Sequence, residues 1–83
     1  MGSVKRFDYN CAIIIIMNKF PERLKELRCE KGLSQRELAK ATNLSQSAIV
    51  HWENNKRVPS ADVIIIFAQF FEVSADYLLG LED

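Results

Sequence analysis

Gln46, Ser47, Val50 and His51 lie in the stretch LSQSAIVHWEN at the spacing of one helix face. The other side of that turn pattern carries Ala48, Ile49 and Trp52. The first set offers an amide, a hydroxyl, a small branched aliphatic group and an imidazole. Such groups are suited to touching something and poor at building a core. Their chemistry is recognition rather than bond breaking. A catalytic site needs an activated nucleophile or a paired acid and base. The 83-residue chain has one His, no clustered carboxylates, and two cysteines, Cys11 and Cys29, that lack metal-ligand spacing. No metal or cofactor is implied, and an enzyme is the least supported class.

Length and composition bound the elements that position these residues. Eighty-three residues, 48% apolar and 27% charged, allow one globular domain with a modest core. The net charge of zero hides a division. Residues 19–57 hold nine Lys/Arg against five Glu, a net +4, whereas residues 58–83 hold five acids and no Lys/Arg, a net −5. The molecule is therefore polarised, with a basic half that suits an anionic partner. No stretch approaches the roughly 18 apolar residues of a membrane span, and Ala12–Met17 is too short for a signal peptide. A cytoplasmic protein with reduced thiols and no membrane association is the expectation.

Three segments are expected: an N-terminal extension (1–17), a main domain (18–80) and a short tail (81–83). Met1-Gly2-Ser3 reads as a cloning remnant, and Met17 as a possible native start. Phe7–Cys11 alternates apolar and polar and then runs into Ile13, Ile14, Ile15 and Ile16, a strand pattern. From Asn18 onward the reading is all-α, a compact bundle of five helices. Pro21 belongs in a first turn, and Gly32 ends that helix. Ser34-Gln35-Arg36-Glu37 is a capping box opening a second helix that runs to about Ala41. Asn43 tolerates a left-handed turn. Ser45, Ser60 and Ser74 cap three further helices, the last ending at Gly80, and Asn55 suits a left-handed stop after Glu53.

Two helices joined by so short a turn form a helix-turn-helix unit. A small residue is needed where they cross (Ala39), a flexible one in the turn (Asn43), and apolar residues toward the core (Leu38, Leu44, Ile49 and Trp52). The sequence meets each requirement. These residues, in GLSQRELAKATNLSQSAIVHWENNKRVPS together with the later VSADYLLG, resemble the phage-repressor (Cro-type, XRE) helix-turn-helix family, from about Phe20 onward. The resemblance implies a sequence-specific transcriptional regulator, read as a repressor, that binds double-stranded operator DNA as a homodimer. Its third helix would enter the major groove. Gln46, Ser47, Val50 and His51 match base-contacting positions; Gln can bond adenine through two atoms, and Val can touch a thymine methyl. Gln35, Asn54, Lys56 and Arg57 match phosphate contacts, and Arg28 and Glu53 match a buried ion pair between the first and third helices.

Departures from the family pattern are Asn43, Asn55 and Glu72, where Gly is common, and Trp52, where an aliphatic residue is usual. The fourth helix, DVIIIFAQFF, is apolar nearly all round. With Ile64, Phe67, Ala68 and Phe71 inward, Val63, Ile66 and Phe70 form a second stripe. That stripe and the Ile13–Ile16 strand are the expected subunit interface, two strands pairing antiparallel across the dimer. The alternative, from another class, is a protein-interaction module that keeps the fold without binding DNA. A phage or mobile-element repressor, a toxin–antitoxin regulator and a restriction–modification controller share this architecture.

Overall fold

Local sequence sets the helix boundaries. The computed structural model describes residues 19–82; the extension expected to form a strand lies outside them. Five helices follow in order: α1 (Lys19–Glu30), α2 (Gln35–Thr42), α3 (Gln46–Glu53), α4 (Ala61–Phe71) and α5 (Ala75–Leu79). Pro21 sits in the first turn of α1, where its missing N–H costs nothing. Gly32 closes α1 in the left-handed region at φ +70°, and the Leu33 N–H returns to the Arg28 carbonyl at 3.1 Å. Each later helix opens on a serine whose hydroxyl accepts the main-chain N–H three residues on: Ser34 from Glu37, Ser45 from Ala48, Ser60 from Val63 and Ser74 from Tyr77. At Ser34 the Glu37 carboxylate returns the bond, completing the capping box.

The turns use residues that accept positive φ. Asn43 (φ 60°) ends α2, Asn55 (φ 59°) follows α3 and Glu72 (φ 57°) ends α4. Glu72 therefore adopts a left-handed cap, a conformation that Gly takes with less strain.

The core gathers around Phe67, which is fully buried. The rings of Phe20 and Phe71 lie 6.2 Å from it and that of Trp52 lies 5.7 Å away, edge-on. Leu24, Leu38, Ile49 and Leu78 complete the buried centre. In this packing α2 lies against α3, α1 against α3 and α5, and α4 against α5 and α2. Trp52 fills the position next to Phe67, at the cost of an indole N–H that has no hydrogen-bond partner among the described residues.

The second stripe of α4 is partly covered. Val63 and Phe70 pack against the core, and Ile66 is half-buried. Phe70 meets the Phe71 ring edge-on at 5.0 Å, and the Lys31 ammonium lies 5.4 Å from its centre. The aliphatic side chain of α4 left outside is Ile65, 51% exposed. Ile65 borders an apolar groove of about 350 Å³ formed with Pro59, Ala61, Ile64, Ala75 and Leu79.

Candidate nucleic-acid interface

The presented surface is built from α3 and the loop that follows it. Ala48, Ile49 and Trp52 are buried and fix α3 to the core. Gln46 and Ser47, in its first turn, are exposed, and Val50 and His51 are half-buried one turn later. The 3.6-residue period of the helix explains this division: once the apolar side is rooted, these four must face away. After α3, Asn54, Lys56 and Arg57 are exposed. The Lys56 N–H bonds the His51 carbonyl at 2.8 Å, so the loop folds back against the helix end. Val50, His51, Asn54, Lys56 and Arg57 together line an open concavity of about 480 Å³. Seven of the eight proposed DNA contacts thus share α3 or its trailing loop.

Gln35 is held differently. It opens α2, but its side-chain Nε2 donates to Glu53 Oε1 at 3.0 Å. Glu53 also takes two bonds from Arg28, Nε to Oε2 at 2.7 Å and Nη2 to Oε1 at 3.0 Å. The pair is well shielded, with side-chain exposures of 12% for Arg28 and 2% for Glu53. Arg28 Nη1 donates to the Leu33 carbonyl at 2.8 Å. Arg28 is held above the ordinary arginine range, first by its hydrogen bond to Glu53, with burial opposing.

Two features escape a reading of the sequence. The bond from Gln35 to Glu53 joins residues 18 apart, and no local spacing announces it. Arg23 reaches the carbonyls of Tyr77 (2.7 Å) and Glu82 (2.5 Å) and lies over the Tyr77 ring at 4.2 Å, tying α1 to the end of α5.

Residues 24–78 match the model of the helix-turn-helix family. The chain belongs to the phage-repressor (XRE) helix-turn-helix family. Its relatives include the HTH-type transcriptional activator BcrR of Enterococcus faecalis, 37% identical over 65 residues, which are 78% of this chain and 32% of that protein. The HTH-type transcriptional regulator ImmR of Bacillus subtilis (strain 168) is 34% identical over 62 residues, 75% of this chain and 49% of that regulator. The HTH-type transcriptional regulator PrpR of Mycobacterium tuberculosis is 42% identical over 61 residues, 74% of this chain and 13% of that protein. The matched region therefore spans about half of ImmR and about a third of BcrR. Among the described residues, no helix is long and apolar enough to cross a membrane.

Proposed function

We propose that this chain reads double-stranded operator DNA and thereby regulates transcription, with α3 in the major groove. The observation that carries this reading is the division of α3: Ala48, Ile49 and Trp52 root it, while Gln46 and Ser47 stand exposed at its start and Lys56 and Arg57 are exposed in the loop after its end. Side chains at the start of a groove-bound helix meet base edges, and cations beside it meet phosphates. Gln46 and Ser47 supply hydrogen bonds, Val50 an apolar contact and His51 an imidazole; Asn54, Lys56 and Arg57 hold the backbone. Regulators named both activator and regulator occur among the relatives. Repression is our reading for this chain, because a domain seated in the major groove of an operator occupies a site that other proteins would need.

A homodimer is part of the proposal. The groove of Pro59, Ala61, Ile64, Ile65, Ala75 and Leu79 supports it, as does the exposed Ile65. The Ile13–Ile16 segment is the other candidate for that interface. Ile65→Lys and removal of residues 1–16, each followed by mass in solution, test the two separately. A mass unchanged by both removes these surfaces from the dimer.

The DNA reading is tested by titrating a duplex of random sequence at two salt concentrations. Binding that weakens steeply with salt is expected, since each neutralised phosphate releases counterions. Absence of binding at low salt would favour a protein-docking module, for which the apolar groove would be the contact surface.

A further inference from the structure

Glu53 is a carboxylate in an unfavourable place. It ends α3, where the helix dipole favours cations, and its side chain is 2% exposed. A buried charge persists there when its lone pairs are taken up. Arg28 provides two N–H groups from the end of α1. The third is neutral and comes from the first residue of α2: Gln35 Nε2, at 3.0 Å from Oε1. The remaining guanidinium nitrogen engages the Leu33 carbonyl just before α2 begins. A single carboxylate thus joins the end of α1, the start of α2 and the end of α3.

This junction bears on the angle between α2 and α3. The buried residues of these two helices are apolar: Leu38 and Ala39 in α2, and Ala48, Ile49 and Trp52 in α3. Apolar contact is non-directional and leaves some freedom of tilt. A hydrogen bond to a charged acceptor has a fixed geometry and is shorter and stronger than a neutral one. The Gln35 side chain is therefore committed inside the protein. The capping box engages the amides of Ser34 and Glu37, and the main-chain N–H of Gln35, in the first turn of α2, has no carbonyl of its own helix to meet.

Resting on the reading of α3 as the base-contacting helix, we propose that Gln35 is a positioning residue for sequence discrimination: its amide holds Glu53 and so sets the seat of α3 against α2. A side chain that merely touched phosphate would strengthen all duplexes alike. One that seats α3 favours the operator over other sequences.

The test uses Gln35→Ala and, to keep volume while removing the donor, Gln35→Met. Affinity is measured for an operator selected from random sequence and for an unselected duplex, well below the unfolding temperature and with helicity checked by circular dichroism. Operator affinity is expected to fall about tenfold, as when the binding-competent seat of α3 is held about a tenth of the time, while affinity for the unselected duplex changes less than about twofold. Equal losses on both duplexes would make the side chain a phosphate contact and overturn the proposal. Unchanged affinity on both, even with a lowered unfolding temperature, would reduce Gln35 to a stabilising role and also overturn it. If the unaltered protein fails to distinguish the two duplexes, the DNA-reading function itself falls, an outcome visible before any variant is made.

Discussion

Replacing Arg28 by Met strands the Glu53 carboxylate. The guanidinium now donates two of the three side-chain N–H bonds that reach it, and solvent has almost no access to make up the loss, since the Glu53 side chain is 2% exposed. Removing one partner of such a pair costs about 3–5 kcal/mol. A domain of this size holds a total of about 5–15 kcal/mol, so the loss is a large fraction of it. The unfolding temperature should fall by on the order of 20 °C. Urea titration followed by helical circular dichroism measures the change, which should appear as a shifted midpoint with an unchanged slope. The double variant Arg28→Met/Glu53→Met removes both charges and should recover to within about 1 kcal/mol of the parent, or exceed it. Because the Arg28 pKa is raised in the folded state, its contribution is complete below the unfolded-state value and is lost only as pH climbs through the higher folded one. Both the unfolded and folded values lie far above neutral pH, so the deficit of Arg28→Met should be constant between about pH 7 and 9. A loss under about 1 kcal/mol, or a double variant no better than the single, would refute the claim that the fold depends on a complete pair.

Other outcomes follow from the same geometry. Gln46→Ala should weaken operator binding by roughly 1–3 kcal/mol and spare binding to unselected duplex, measured by gel shift with both probes. Lys56→Ala should weaken binding to all sequences alike and reduce the slope of log affinity against log salt by about one. Glu72→Gly should stabilise the domain by about 0.5–1 kcal/mol in urea titration, since Glu72 holds φ 57° in a left-handed cap that costs an L side chain more than the added freedom of glycine.

Much of the fold is legible because its determinants are local. Ser34, Ser45, Ser60 and Ser74 each cap the helix they precede, and a capping hydroxyl reaches only three residues onward. Asn43 and Asn55 mark left-handed turns because Asn tolerates them. Glu72 gives no such signal, and its conformation is imposed by the helices on either side. The division of α3 into buried and presented faces follows from its period. The phase of α4 is only partly legible: Ile64, Phe67 and Phe71 turn inward, but with apolar residues nearly all round no polar face shows that Ile65 is more exposed than the partly covered Val63, Ile66 and Phe70. The Arg28–Glu53 bond is suggested by family resemblance alone, and the Gln35–Glu53 bond by nothing local, because both depend on how separate helices cross.

The most direct test of α3 as a reader of DNA is selection of bound duplexes from a random pool. The account predicts enrichment of a palindrome whose half-sites lie about one helical turn, roughly 10 base pairs, apart, as a two-fold dimer requires. A pool that shows no enriched sequence after repeated rounds, with Gln46 and Ser47 intact, would contradict it.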